Sequence, residues 1–429
     1  MAGVPASNAF KYVDGALHVD GVDLARIARE VGTPCYVYSG QAIDTAYQAI
    51  DGALAAVPHR VAYAMKANSN ADVLARLAKA GASVDIVSGG ELQRALRAGF
   101  PAERVVFSGV GKTDEEIVAA LDAGIYSLHV ESPQELAVIE EIAATKKLVA
   151  PIALRVNPDV DAKTHPYIST GIHSTKFGIE FGDARALLPR LLNSRHLRLL
   201  GITCHVGSLV LEPAPIAEAT QRVAEFAVEC AKAGAKLSCL DAGGGWPILY
   251  GDEQRAAESP AVFGEAIIAG MRRGGAADLG LTLMIEPGRA IVGDAGVLLT
   301  RVLFTKEQAG KRFIIVDGAM TELIRPALYS AYHGVMPLRE PEPGVALAAA
   351  DVVGPVCESA DFIAQGRPLP ETLVRGELIA VRGAGAYAAV MGSTYNSRPL
   401  APEVMVDGDG FRVVRERQPV SALWEYERA

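Results

Sequence analysis

Short β-rich runs recur eight times along the chain, at 61–66, 84–88, 105–108, 126–130, 152–157, 200–206, 237–242 and 281–286. Between them the apolar residues switch to a helical period. Leu92, Ala95, Leu96 and Gly99 follow it, as do Ile117, Ala120 and Leu121, then Leu136, Ile139 and Ile142, and Val223, Phe226, Ala227 and Cys230. Strands alternating with helices demand parallel strands joined by right-handed crossovers. Eight such units over about 225 residues are the size of a closed (β/α)8 barrel. An open doubly wound sheet is the rival. The barrel is preferred because no strand runs into a Gly-x-Gly-x-x-Gly turn of the dinucleotide-binding kind.

The rhythm does not hold for the whole chain. After Gly296, strand-like runs at 297–304, 313–316, 351–357, 378–381, 403–406 and 411–414 follow one another without long helices. The expectation is an α/β chain of two domains: a barrel over 37–285 and a predominantly β, sandwich- or barrel-like domain over 286–429. Residues 1–36, with a strand at 16–19 and a helix at 23–31, add to the second. Pro341-Glu-Pro-Gly344 reads as an exposed loop.

Composition narrows the function. A net charge of −9 and a pI near 5.5 offer no basic footprint for nucleic acid or an anionic membrane. Apolar runs fall far short of a membrane span, and the first residues lack the pattern of a signal peptide, so a cytoplasmic protein is expected. Five scattered cysteines fit neither a disulfide framework nor a zinc site, and no metal is expected.

In such a barrel the chemistry gathers at the C-terminal ends of the strands. Those ends read Lys66-Ala-Asn68, Ser88-Gly-Gly-Glu91, Ser108-Gly109, His129-Val-Glu131, Arg155-Val-Asn157, His205-Val-Gly207-Ser208, Asp241-Ala-Gly243-Gly244-Gly245 and Glu286-Pro-Gly288-Arg289. Every one is polar or glycine-rich. Alone, Lys66 is more simply a strand-ending lysine whose head reaches water. In this company, partial burial at the mouth of the strand would favour the neutral amine that a Schiff-base lysine needs. The triplet Gly243–Gly245 suits either a tight bend or the close approach of an anion, with Ser208 adding a donor. Barrel phosphate sites form after the last two strands. A phosphorylated ligand beside a lysine points to pyridoxal phosphate. Glu286 is then a candidate partner for a ring nitrogen, and His205 a stacking face. Asp85 and Arg155 could orient the lysine and a ring oxygen, or simply pair strands.

In the second domain Cys357-Glu358-Ser-Ala-Asp361 offers a thiol followed by two acids, suited to proton donation and to holding an amine, although most free cysteines are small buried hydrophobes. Arg325-Pro-Ala-Leu-Tyr329 offers a fork and a hydroxyl for a carboxylate, and Tyr387 follows a glycine-rich turn.

Taken jointly these residues, from about 33 to 398, resemble the alanine-racemase-type, barrel-containing pyridoxal-phosphate decarboxylases. Tyr-Ala-Met-Lys66-Ala-Asn matches that family's lysine segment. His165-Pro-Tyr-Ile-Ser-Thr-Gly171, Lys176-Phe-Gly, His205-Val-Gly-Ser208, the glycine triplet and Glu286-Pro-Gly-Arg289 recur in the family's order. Cys357-Glu358-Ser and Arg325-Pro-Ala-Leu-Tyr329 mark its diaminopimelate branch. The resemblance implies decarboxylation of meso-2,6-diaminopimelate to L-lysine, with Lys66 and Cys357 catalytic. It implies cofactor contacts from Lys66, Asp85, Arg155, His205, Ser208, Gly243, Gly244, Gly245, Glu286, Gly288, Arg289 and Tyr387. Arg289, Arg325, Tyr329, Glu358 and Tyr387 would bind the amino-acid substrate. It also implies a homodimer with shared active sites, Cys357 and Glu358 serving the partner's barrel.

Overall fold

A computed structural model describes residues 9–161, 176–251 and 257–428. The segments His165–Gly171 and Ile172–Thr175, the first of them part of the resemblance, lie outside the described residues. The chain divides into two compact units. One comprises Tyr47–Pro247 and Ala257–Gly288, the other Met1–Ala46, Ile248–Ala256 and Arg289–Ala429.

The first unit is a closed barrel of eight parallel strands: β1 His59–Ala64, β2 Ser83–Ile86, β3 Val105–Phe107, β4 Ser127–Val130, β5 Ala150–Arg155, β6 Leu197–Thr203, β7 Cys239–Asp241 and β8 Thr282–Ile285. Leu283 to Ile285 of β8 pair with His59 to Val61 of β1, and that closure excludes the open sheet. The strands read as apolar runs because both faces are covered; Val61, Ala62, Tyr63 and Ala64 are all buried. The intervening helices start where short polar side chains cap them. Ser88, Thr113, Ser132 and Ser259 each accept a backbone N–H from the residue three positions on. Val223, Phe226, Ala227 and Cys230 face inward together as their spacing requires. The expected stripe through Leu96 and Gly99 is shorter in fact: the helix stops at Arg97, and only Leu92 and Ala95 are buried.

The second unit is built on a nine-stranded sheet. Its long strand Gly296–Gln308 pairs with Lys311–Val316, Leu378–Arg382 and Cys35–Ser39. Cys35–Ser39 also pairs, in parallel, with Glu403–Asp407. That pairing moves the expected boundary. Residues 37–46 belong to the β unit because Val37 packs with Val297, Leu299, Val404 and Val406 in one apolar core. The N-terminal strands Phe10–Val13, Ala16–Val19 and Val22–Asp23, and the helix Leu24–Glu30 capped by Asp23, pack on the same core through Leu17, Val19, Leu24 and Ile27. Two strands carry no clear sequence signal, Val335–Pro337 and Phe362–Pro370. The latter contains two prolines and lies at the sheet edge, where a missing N–H is tolerated. Among the described residues no helix is long and apolar enough to cross a membrane.

Candidate active site

The expected strand 61–66 ends two residues early, and Met65–Ala67 forms a single 3-10 turn. The turn is tied down from β8: the Ala64 N–H donates to Pro287 O at 3.1 Å, and a Cβ on Gly288 would lie 2.9 Å from that of Ala67. Gly288 is therefore required by packing against the lysine turn. Lys66 projects from it and donates to Asp85 Oδ2 at 3.1 Å. The lysine is partly buried, as expected: its side chain keeps 41% of its accessibility while that of Asp85 keeps none. What sets Lys66 apart is a sequestered carboxylate at its tip.

Behind this pair lies an acidic pocket. Ligand atoms of His129, Asp241 and Glu286, from the ends of β4, β7 and β8, fall within 4.8 Å of one another, all three side chains being buried. Burial first, then the charges of Asp241 and Asp85, hold the Glu286 carboxyl well above the usual carboxylate range. Burial raises Asp241 to about 6 although Gly243 N–H donates to its Oδ1 at 2.8 Å. Burial likewise lowers His129 to about 3, so its ring is neutral. Among the described residues, two carboxylate oxygens here, Glu286 Oε1 and Asp85 Oδ1, are buried without a hydrogen-bond donor, while Asp241 shares a hydrogen bond with Glu286. A pocket of neutral histidine and unfilled acceptors fits a cationic N–H group.

Arg155, at the end of β5, donates to Glu131 Oε1 at 2.7 Å. Glu131 also accepts the N–H groups of Gly109 at 3.0 Å and Gly178 at 3.1 Å. The Lys176-Phe-Gly motif is thereby explained: Gly178 meets Glu131, and the Phe177 ring lies 5.0 Å from the Arg155 guanidinium carbon. Buried Lys112 completes the network, donating to Gly109 O, His129 O and Glu135 Oε1 at 2.7–2.8 Å. The glycine triplet packs against the end of β6. A Cβ on Gly243, Gly244 or Gly245 would strike the carbonyl of Cys204, Glu286 or Gly207 in turn. Two of its N–H groups are used inside the barrel, that of Gly243 on Asp241 and that of Gly244 on His205 Nδ1 at 3.1 Å. Close packing is thus sufficient reason for the glycines. The Gly244 bond also fixes the His205 ring, which burial and the Arg155 and Lys66 charges keep neutral.

The second unit holds its own cluster. Arg289 and Arg325 are 6% and 4% exposed. Both guanidinium groups lie over the Tyr250 ring, at 5.7 and 4.3 Å from its centroid, and Arg289 also donates to the Tyr250 hydroxyl. The Tyr387 ring lies 4.6 Å from the guanidinium carbon of Arg289. Arg325 and half-buried Tyr329 begin and end a one-turn helix, Arg325–Tyr329. Two sequestered guanidinium groups sharing one aromatic ring make a site for an anion.

The expected strand over 351–357 is observed as Leu347–Val353, which leaves Cys357 exposed on the loop beyond it, with Glu358 exposed beside it. Of the two acids after the thiol, Asp361 is not available for proton transfer. It is 5% exposed, and its carboxylate accepts the N–H groups of Val356 and Met320, each at 2.7 Å. The Cys357 N–H is held by Asn396 Oδ1 at 2.8 Å.

Residues 41–293 match the family model described as pyridoxal-dependent decarboxylase, pyridoxal binding domain. A diaminopimelate decarboxylase of Pseudomonas aeruginosa is 47% identical over 98% of this chain and 99% of its own. The chain belongs to the diaminopimelate decarboxylase family. Solved members have the same fold. The Helicobacter pylori enzyme complexed with L-lysine superposes with a TM-score of 0.89 at 39% identity, covering 94% of this chain and 99% of that one. The M. jannaschii enzyme, in co-complex with L-lysine, gives 0.92 at 32% identity and 98% coverage of both. The unfilled buried acceptor on Glu286 suits the protonated ring nitrogen of pyridoxal phosphate, so the residues present fit the family's cofactor. Sequence reasoning placed Glu131, His129 and Asp241 at strand ends without giving them a role. It missed Tyr250 and His333, which carry no motif and gain meaning only from their contacts with the two arginines.

Proposed function

We propose that this protein catalyses the decarboxylation of meso-2,6-diaminopimelate to L-lysine and carbon dioxide with pyridoxal 5'-phosphate, as a cytoplasmic homodimer. The observation that carries the reading is the pair of buried arginines on Tyr250, a carboxylate site that diamine-forming decarboxylases do not need. When bound, the cofactor supplies the electron sink for the pair of electrons left by departing carbon dioxide.

Lys66 provides the amine that holds the cofactor, and Asp85, 3.1 Å from it, orients that amine and stabilises its protonated form. Glu286 would accept the ring N–H of the cofactor, with Asp241 and His129 holding the carboxyl in place. His205, its orientation set by the Gly244 N–H, would offer a stacking face to the ring. Arg155, anchored by Glu131, would hold the ring oxygen. Ser208, the glycine triplet, Gly288, Arg289 and Tyr387 receive the phosphate end. Arg325, Tyr329 and Arg289 hold the substrate's distal carboxylate, with Tyr387 beside them, and Glu358 holds its distal amine. Cys357 delivers a proton to the carbon that has lost its carboxylate. Cys357 and Glu358 act on the partner's barrel, so the working unit is the dimer.

Incubating the purified protein with pyridoxal phosphate and meso-diaminopimelate should yield lysine and carbon dioxide in equal amounts. Robust turnover of ornithine with none of diaminopimelate would overturn the reading.

A further inference from the structure

Arg325 Nη1 lies 2.8 Å from His333 Nε2, and His333 Nδ1 lies 2.7 Å from the carbonyl oxygen of Arg382. A carbonyl only accepts, so Nδ1 carries the proton and Nε2 is left as the acceptor for the guanidinium. His333 is fully buried, and burial together with the Arg325 charge keeps its ring neutral, which preserves that acceptor. Tyr250 stands against both partners. Its ring centroid is 4.3 Å from the Arg325 guanidinium carbon and 4.8 Å from the His333 ring centroid, the two rings inclined at 69°. A Cβ on Gly383 would collide with the Tyr250 ring, so that glycine leaves the phenol its place. The guanidinium is restrained along its edge by an imidazole and across its face by a phenol. Among the described residues, the groups that shift Arg325 besides burial are Tyr250, Arg289, Tyr387 and Tyr329, none of them a carboxylate. A buried cation held by neutral groups keeps its remaining donors for an incoming anion.

We propose that His333 is a positioning residue for substrate selection: it fixes Arg325 on the Tyr250 ring, so that the guanidinium edge left open meets a substrate carrying a second carboxylate. The inference rests on the reading of Arg325 as the holder of the distal carboxylate. Nothing in the sequence marks His333, eight residues beyond Arg325, as part of the site.

Two substitutions separate positioning from packing. His333→Gln carries an acceptor as far from the backbone as Nε2. His333→Asn reaches only as far as Nδ1, keeping a donor for the Arg382 carbonyl and abandoning Arg325. Assayed as cofactor-loaded enzymes on meso-diaminopimelate, the Asn variant should show KM raised roughly tenfold with kcat within about threefold of the parent, as expected for losing a hydrogen bond to a charged group. The Gln variant should stay within about threefold on both, with the cofactor absorbance of the two unchanged. If Gln and Asn behave alike, or if kcat and cofactor content fall with KM in both, His333 serves packing alone and the inference is wrong. Arg325→Ala, run alongside, keeps the two readings apart. An unchanged KM there would remove the assignment of Arg325 itself, whereas a raised KM there with an unchanged one in His333→Asn would remove only the role of His333.

Discussion

Asp241 gives the sharpest test of the barrel-mouth electrostatics. Burial raises its carboxyl to about 6, against an ordinary value near 4 in an unfolded chain. Between those values the folded barrel holds a proton that the unfolded chain has released. Stability is therefore fully present below about pH 4 and falls as pH rises toward 6. At 1.36 kcal/mol per pKa unit the full loss is about 3 kcal/mol, and roughly half of it falls between pH 5 and 8. Asp241→Asn keeps an oxygen for the Gly243 N–H and removes the titration. It should leave the cofactor-free barrel more stable than the parent, by a margin that widens with pH. The margin should exceed the single-site value, since Asp241 also helps to raise Glu286. Trp246 provides the probe: it is 2% exposed, stacks on Phe263 at 5.3 Å and lies in the barrel unit. The only other tryptophan, Trp424, is exposed in the β unit and can be replaced by Phe in both proteins. Urea unfolding followed by Trp246 fluorescence at pH 5 and pH 8 then reads the difference. A margin constant within about 0.5 kcal/mol across that range would refute the account of the pocket.

Other consequences are as direct. Lys66→Ala should fold, as judged by circular dichroism, yet show no protein-bound pyridoxal absorbance and almost no decarboxylation. Glu131→Ala removes a carboxylate that holds Arg155 and two backbone N–H groups, and should cost about 3–5 kcal/mol in urea unfolding, with Glu131→Gln recovering part of it. Cys357→Ala should keep the cofactor spectrum while kcat falls on the order of a hundredfold. Mixed in equal amounts and reassembled, the Lys66→Ala and Cys357→Ala proteins should regain about a quarter of parental activity if sites are shared across a dimer, and essentially none if each chain is self-sufficient.

The barrel was legible because each strand is a short, mostly apolar run followed by a polar or glycine-rich end, so that chemistry and topology coincide at Lys66, Asp85, Arg155, His205 and Glu286. Local signals failed where tertiary contact overrode them. The strand before Lys66 stops at Ala64 because Pro287 and Gly288 press on the turn beyond it. Asp361 reads as chemistry in the sequence, but it is spent on two backbone N–H groups. The glycine triplet suits a tight bend or the approach of an anion, and crowding by three carbonyls accounts for the bend. Tyr250 and His333 were out of reach: an aromatic ring shared by two cations is a relation among distant residues, and no spacing rule encodes it.

Strand Cys35–Ser39, every residue of it buried, lies between Gly296–Gln308 and Glu403–Asp407. Its two neighbours are both made long after it. Some 360 residues must follow before Glu403–Asp407 is made, roughly 20–70 s of synthesis at typical rates. Meanwhile every strand of the barrel, complete by Ile285, has already emerged. An edge of Cys-Tyr-Val-Tyr-Ser left open that long is an invitation to pair with the wrong chain. Slowed elongation or a scarcity of chaperone should therefore lower the yield of soluble protein through this strand, while the finished enzyme carries no trace of the hazard.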